Sequence, residues 1–194
     1  MSPSSTHLQD NAADRALGEH WERQFCLLAA HASKAFTPQQ IGREKAASWG
    51  KRVDDAWKLT LLPDVTVWTA PGEHHEIKHK APTRTGCYGL EVYRLDALVA
   101  FREETQQPVL YTIHDWCRTG AVDSREAMPN RLGDWLTIDV LTLDRMIEEL
   151  ELQTRAFDTW VNGQRAVRPG YYWPAKCWVP LETWWASQSR FECA

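Results

Sequence analysis

Two carboxylates and a lysine lie on either side of a turn signal in this sequence, and together they have the chemistry of a hydrolytic site. Asp64 precedes the turn signal Pro71-Gly72, and Glu76 and Lys78 follow it. If residues 63–80 form a β-hairpin, antiparallel pairing brings the Asp64 carboxylate beside that of Glu76. Two adjacent carboxylates repel each other and are stabilised by a divalent cation, while a nearby ammonium can orient or activate a water. The combination predicts hydrolysis of a phosphodiester with the help of Mg²⁺ or Mn²⁺.

The hairpin also predicts how the individual groups would act. We expect Asp64 and Glu76 to bind the metal ion with their carboxylates and the main-chain carbonyl of Ile77 to add a third oxygen. Lys78 would position or activate the water. The period of two in a strand places Glu76, Lys78 and Lys80 on one face and His75, Ile77 and His79 on the other.

The same segment supports a second, incompatible interpretation, because it also reads H-E-x-x-H. On a helix, His75 and His79 would lie one turn apart and could chelate Zn²⁺, with Glu76 as general base. This motif resembles that of the zincin metalloproteases. However, Pro71-Gly72 and Pro82 leave room only for a short helix that is nearly all polar, and no third ligand follows at a recognisable spacing. The hairpin is therefore the favoured interpretation, with a zinc metalloprotease as an alternative.

The surrounding pattern predicts the elements that would position these residues. A helix is expected over about residues 14–35, and a second helix over residues 37–49 with Thr37 as its N-cap. A buried helix over residues 90–105 and a buried strand over residues 109–114 follow the hairpin. A strand, a helix and a strand this close together predict a parallel βαβ crossover.

The later part of the chain has fewer signals. We expect an irregular connection over residues 117–134, another helix over residues 142–161, and short edge strands and turns in the aromatic-rich C-terminal region. The fold class predicted from all these elements is α/β. A central mixed sheet would contain the antiparallel hairpin and the parallel crossover, with helices flanking it.

Length and composition predict one folded domain. The chain has 194 residues, and 43% of them are hydrophobic, which excludes a disordered or collagen-like protein. Residues 1–13 are expected to form a flexible N-terminus and residues 14–194 a single domain. Its catalytic core would span about residues 17–115, with a C-terminal helix and an aromatic-rich extension over residues 116–194.

The cysteines and the apolar pattern indicate where the protein would work. The five cysteines are scattered without a C-x-x-C pair, which favours a reducing, cytoplasmic location over a disulfide framework. The chain has no apolar stretch approaching the roughly 20 residues of a membrane span, so no membrane association is expected.

The proposed site residues resemble a known enzyme family. The motifs Pro63-Asp64 and Glu76-Ile77-Lys78, in the predicted order of helix, hairpin, helix and parallel strand, resemble the PD-(D/E)XK nuclease superfamily. This superfamily includes restriction enzymes, Holliday-junction resolvases and phage exonucleases. The resemblance implies a restriction endonuclease-like fold and Mg²⁺- or Mn²⁺-dependent cleavage of nucleic acid, with DNA favoured over RNA. The first helix of the family carries a glutamate near the metal, and Glu22 is the residue that matches it. The family often has Gln near the start of the next helix, whereas Glu91 and Tyr93 are nearest here, which is a departure.

A nucleic-acid substrate requires a local basic surface, because the formal net charge of the whole chain is −4. The basic residues expected to contact phosphates are Lys80, Arg84, Lys45 and Arg52. Cleavage of both strands of a duplex needs two sites, so a homodimer is a possible assembly. A non-catalytic module that binds nucleic acid or protein on the same fold is the remaining alternative.

Overall fold

The computed structural model describes residues 6–38, 50–53, 56–59, 63–69, 72–118, 128–161 and 164–188. Within these ranges, helices and strands follow one another along the chain. They are α1 (Thr6–His31), β1 (Ala35–Pro38), β2 (Gly50–Val53), β3 (Ala56–Leu59), β4 (Val65–Trp68), β5 (Glu73–Lys80), β6 (Cys87–Glu91), α2 (Val92–Thr105), β7 (Val109–Asp115), β8 (Trp135–Asp139), α3 (Val140–Glu149), β9 (Arg155–Val161), β10 (Gln164–Pro174), β11 (Val179–Pro180) and α4 (Leu181–Gln188).

A mixed sheet lies at the centre of the described part of the chain, with its six strands in the order β1-β4-β5-β7-β8-β11. The β4–β5 hairpin is antiparallel, and β5 runs parallel to β7. The chain passes from β5 to β7 through β6 and α2. The α/β fold predicted from the sequence, with an antiparallel hairpin and a parallel crossover in one mixed sheet, is confirmed.

A smaller sheet packs beside this crossover. Its three described strands lie in the order β6-β10-β9, with antiparallel pairing on both sides of β10. Gly89 in β6 has no side chain, and a Cβ atom there would lie 2.6 Å from the ring of Tyr172 and 2.8 Å from that of Phe157. The close approach of these two rings therefore requires glycine at this position.

Helices cover both faces of the central sheet, and β7 is therefore buried on both faces. Every residue of Val109–Asp115 is buried. The period of two directs Tyr111 and Ile113 into one core cluster and leaves Leu110 and Thr112 to the opposite face. The first cluster joins the sheet to α2 and α3 through Leu95, Leu98, Tyr111, Leu143 and Trp173, and the second joins it to α1 and α4 through Trp21, Phe25, Ile77, Trp135 and Trp185.

The first helix confirms the predicted apolar stripe but has different ends. Trp21, Phe25 and Leu28 are buried, as their helical spacing predicts. The helix begins at Thr6, so it includes residues 6–13 of the stretch expected to form a flexible N-terminus, and it ends at His31. In the described ranges, no helix combines the length and the apolar character needed to cross a membrane.

The predicted helix start at Thr37 is wrong. Residues Ala35–Pro38 instead form the edge strand β1, in which Thr37 lies opposite Thr66 of β4. The Thr37 hydroxyl, expected to cap a helix, accepts a hydrogen bond of 2.9 Å from the Trp68 indole. Proline is tolerated at the end of an edge strand because the ladder does not need its missing N–H. Residues 39–49, the rest of the predicted helix, lie outside the described residues.

The predicted helix over residues 142–161 is also wrong in its second half. Helix α3 ends at Glu149, and Glu151 follows with a positive φ of 50°, which turns the chain away from the helix. Residues Arg155–Val161 then form β9, because this segment is rich in aromatic and β-branched residues and finds a partner in β10. Strands β6 and β8 were not predicted, since short buried strands carry little periodic signal. The expectation of short strands and turns at the C-terminus is wrong for residues Leu181–Gln188, which form α4.

Candidate active site

The β4–β5 hairpin places Asp64 beside the middle of β5. The ladder between the described strands pairs Val65 with His75 and does not extend further towards Lys80. One residue before β4, the Asp64 carboxylate continues the pairing, because its Oδ2 accepts a hydrogen bond of 2.7 Å from the Ile77 main-chain N–H. The side chain of Asp64 is buried, so this bond fixes the carboxylate against the strand that carries the other site residues.

The ammonium of Lys78 lies where three oxygen atoms converge. Its Nζ is 2.5 Å from Glu76 Oε1 and 3.6 Å from Asp64 Oδ2. It also donates a hydrogen bond of 2.9 Å to the main-chain carbonyl of Ile77. These are the three oxygen donors that the sequence predicts for a metal ion, and the structure brings them together around one positive charge.

This donor set fits a hard divalent cation. Both carboxylate oxygens lie near one Nζ and so are no more than about 6 Å apart, while two oxygens that share an ion at 2.0–2.6 Å lie at most about 5 Å apart. Mg²⁺ and Mn²⁺ prefer such oxygen ligands and complete their shells with water. In the described ranges no three His, Cys, Asp or Glu side chains form a metal cluster, so carbonyl and water oxygens would have to complete the shell. The ammonium of Lys78 now contacts these three oxygens.

Glu22 reaches the same region from α1. It lines a cavity of about 250 Å³ together with Trp21, Ile77, Lys78 and other residues of α1 and β5. One wall of this cavity is formed by Ile77–His79, in the part of β5 that extends beyond its pairing with β4, and the other wall is formed by α1. Glu22 is half-buried and lines the same cavity as Lys78.

An arginine that sequence analysis missed contacts the site from α2. Arg94 Nη1 donates a hydrogen bond of 2.8 Å to Glu76 Oε1, and its Nε lies 3.9 Å from Glu91 Oε2. Burial by itself would lower the pKa of Arg94, but attraction to Glu76 and Glu91 raises it above its ordinary value. Arg94 and Glu76 are 18 residues apart in the chain. Their contact could have been anticipated only by recognising that α2 starts directly after β6 and so begins beside the sheet.

The zinc interpretation of H-E-x-x-H is wrong for this fold. Residues 73–80 form strand β5 rather than a helix, so the two histidines do not lie one turn apart. The ring of His75 contacts Glu73 Oε1 at 3.1 Å and the Thr112 hydroxyl at 2.8 Å. The ring of His79 instead contacts that of His114, so the two histidines have different hydrogen-bond partners.

The face of β5 opposite Glu76 and Lys78 carries an aromatic stack that the sequence did not reveal. The indole of Trp21 is stacked on His114 at 3.6 Å and on His79 at 4.8 Å between ring centroids. The Nδ1 atoms of the two histidines are 3.0 Å apart. Burial, with a smaller contribution from repulsion by His79, lowers the pKa of His114 to about 3, so its imidazole is neutral. The stack fixes α1, and with it Glu22, against β5.

The four residues predicted to contact phosphates have different environments. Lys80 points inward, because its Nζ donates a hydrogen bond of 2.7 Å to the Gly89 carbonyl and lies 5.0 Å from the ring centroid of Phe157. Arg84 is exposed on the loop after β5. Lys45 lies outside the described residues, and so does the side chain of Arg52. Arg84 is thus the residue of this set that the structure shows to be accessible.

The inward position of Lys80 predicts a pH-dependent stability. Burial lowers the pKa of Lys80 to about 7 in the folded protein, with repulsion by Lys78 opposing attraction by Glu91. A lysine in the unfolded chain titrates near about 10.4. Between these two values the unfolded chain binds more protons, so the free energy of unfolding rises with pH.

This effect can be measured against Lys80→Met, which removes the titrating group and keeps most of the apolar stem. From about pH 7 to about pH 9, the wild type is expected to gain about 1–3 kcal/mol over the variant. Urea denaturation at the two pH values gives the difference. A stability difference between the two proteins that does not change with pH would contradict the buried position of the ammonium.

Comparison with solved structures shows a distant likeness in fold. No family model and no curated protein matches the chain. Among solved structures, it is similar to Archaeoglobus fulgidus Hjc, described as a Holliday junction resolvase from an archaeal hyperthermophile. The match has a TM-score of 0.47 and 10% sequence identity, and it covers 86% of this chain and 93% of the other. A likeness at this level leaves the function to be argued from the geometry of the site itself.

Proposed function

We propose that this protein is a nuclease that hydrolyses phosphodiester bonds with the help of Mg²⁺ or Mn²⁺. The observation that carries the proposal is the convergence of Asp64 Oδ2, Glu76 Oε1 and the Ile77 carbonyl on one positive charge, the Lys78 ammonium. Buried carboxylates at this separation require a cation, and a lysine beside them supplies a group that acts on water or on developing charge. DNA is favoured as substrate because the motifs resemble those of PD-(D/E)XK nucleases.

Each residue of the site has a defined task in this proposal. Asp64, Glu76 and the Ile77 carbonyl would hold the ion. The ion would polarise a phosphoryl oxygen and lower the pKa of a bound water. Lys78 would release Glu76 when the ion binds and then orient the attacking water or stabilise negative charge on the phosphate.

The cavity between α1 and β5 would give the substrate access to Lys78 and the proposed ion site. Glu22 on its α1 wall would hold water in the outer shell of the ion, because it lines the same cavity as Lys78. Arg84 would contact a phosphate outside the cavity, because it is exposed on the loop that leaves β5. These contacts position the nucleic acid without reading its sequence.

Removal of divalent ions tests the proposal directly. The wild-type protein is expected to nick supercoiled plasmid DNA in Mg²⁺ or Mn²⁺, to stop when EDTA is added, and to resume when excess Mn²⁺ is restored. Branched, linear and single-stranded DNA and a single-stranded RNA of the same sequence define the substrate in parallel reactions.

Two results would contradict the nuclease proposal. Nicking that persists in EDTA would exclude a role for the ion and point to a contaminating activity. No cleavage of any of these substrates by protein that binds them would indicate a non-catalytic nucleic-acid-binding module. Size-exclusion chromatography with light scattering tests the homodimer that we propose for cleavage of both strands.

A further inference from the structure

Arg94 shares one carboxylate oxygen with the lysine of the proposed site. Its Nη1 lies 2.8 Å from Glu76 Oε1, the same atom that Lys78 Nζ contacts at 2.5 Å. Arg94 is on the first turn of α2, and 23% of its side chain is exposed. Two positive charges therefore meet on one oxygen of the carboxylate that would hold a divalent ion.

The two cations differ in how they can leave that oxygen. Lys78 has two further partners within the site, Asp64 and the Ile77 carbonyl. Arg94 has another carboxylate on its other side, because its Nε lies 3.9 Å from Glu91 Oε2. This Nε makes no hydrogen bond to any of the described residues, so the guanidinium is not fully engaged where it stands. A small shift towards Glu91 would shorten this ion pair to a hydrogen bond and withdraw the charge from Glu76.

The charge of Arg94 cannot be removed by losing its proton. A guanidinium stays protonated in proteins, and the attraction of Glu76 and Glu91 raises its pKa further. A divalent ion that binds Glu76 therefore meets a fixed positive charge, and the repulsion weakens binding until the guanidinium moves. The same ion also repels the ammonium of Lys78, but the flexible side chain of Lys78 can rotate so that the ammonium is solvated by water.

We propose that Arg94 is a positioning residue that holds Glu76 in the metal-free protein, competes with the divalent ion for it, and transfers to Glu91 when the ion binds. This inference rests on the proposed function, because it presumes that Asp64 and Glu76 form an ion site. According to this inference, Arg94 on α2 lowers the affinity of the site for the ion, although Arg94 does not belong to the Asp64, Glu76 and Lys78 motif.

The test is the affinity of the metal-free protein for Mn²⁺ alone, measured by isothermal titration or by the electron paramagnetic resonance signal of free Mn²⁺. Arg94→Gln is expected to bind Mn²⁺ on the order of tenfold more tightly than the wild type. Arg94→Lys keeps the charge and is expected to remain within about threefold of the wild type. A purely structural role predicts the opposite sign for Arg94→Gln, because a loosened Glu76 would bind the ion more weakly.

Arg102 offers a matched control on the same helix. It is 21% exposed, close to the value for Arg94, and its Nε lies 3.9 Å from Asp139, far from the ion site along α2. Arg102→Gln removes a partly buried arginine from the same helix and is expected to leave the Mn²⁺ affinity within about twofold.

A second variant keeps the inference testable if Arg94→Gln fails to fold. Glu91→Gln removes the alternative partner of Arg94 and is expected to weaken Mn²⁺ binding about threefold or more. Unchanged or weaker binding by folded Arg94→Gln, or unchanged binding by Glu91→Gln, overturns the inference while leaving the nuclease proposal standing. A wild type that binds no Mn²⁺ and cleaves no substrate overturns both.

Discussion

Asp64→Asn is expected to weaken both ion binding and nicking, whereas Lys78→Met is expected to slow nicking without weakening ion binding. Asparagine keeps an oxygen that can accept the hydrogen bond now made by the Ile77 N–H, so the edge of β5 stays in place. It removes one of two buried negative charges that would hold the ion. Loss of that charge is expected to lower Mn²⁺ affinity at least tenfold and the nicking rate by about 1,000-fold.

Lys78→Met separates water activation from ion binding. The ammonium now lies among the donors proposed for the ion, so its removal takes one of two cations away from Glu76 Oε1, which keeps its contact with Arg94. It also removes the Lys78 contact from the Ile77 carbonyl. The variant is therefore expected to bind Mn²⁺ at least as tightly as the wild type. Its nicking rate is expected to fall by about 100-fold to 10,000-fold, the range for loss of a proton-transfer or charge-stabilising group.

Plasmid nicking and Mn²⁺ titration on the same preparations check both variants. Asp144→Asn is the matched control, because Asp144 is an exposed aspartate on α3 that makes none of the contacts described for the site. Equal nicking by Asp64→Asn and wild type would end the catalytic proposal. Weaker ion binding by Lys78→Met would instead show that Lys78 supports the carboxylates rather than occupying the place of the ion.

Glu73→Ala is expected to destabilise the protein by about 3–5 kcal/mol, the cost of breaking a buried charge network by removing one partner. Glu73 begins β5 and is 1% exposed. Its Oε2 accepts a hydrogen bond of 2.8 Å from the Trp184 indole, and its Oε1 accepts one of 2.6 Å from Trp185. Its third partner is the ring of His75, at 3.1 Å.

The charge state of Glu73 follows from these partners. Burial by itself would raise the pKa of this carboxyl, but the contacts with His75 and the two indoles outweigh it and lower the pKa below its usual value. Glu73 is therefore ionised at neutral pH and attaches α4 to the start of β5. Alanine would leave two indole N–H groups and the imidazole without this acceptor in the core.

Urea denaturation of the wild type and Glu73→Ala, analysed with one shared m-value, measures the loss in the free energy of unfolding. Glu73→Gln keeps one side-chain oxygen and is expected to lose less stability than the alanine variant. Glu182→Ala, at an exposed position on the same helix α4, is the control and is expected to change stability by less than about 0.5 kcal/mol. A loss below about 1 kcal/mol for Glu73→Ala would mean that α4 is held mainly by its apolar contacts.

The helix predicted over residues 142–161 shows that a strand partner can override a local helical pattern. Leu143, Met146 and Ile147 have helical spacing, and α3 contains them. The same spacing continues through Phe157, so the pattern alone extends the helix into β9. The strand forms because Phe157 finds Arg168 opposite it in β10, a partner that periodicity within the segment does not reveal.

The sequence by itself determined the hairpin, the buried parallel strand and the three groups Asp64, Glu76 and Lys78, because turn residues and the period of two act within a few residues. Only the tertiary structure decided which distant groups meet them. Arg94 reaches Glu76 because the crossover returns α2 to the sheet, and Trp184 reaches Glu73 across most of the chain. Such contacts depend on how elements pack, and packing is selected by the burial of the whole core rather than by any local run of residues.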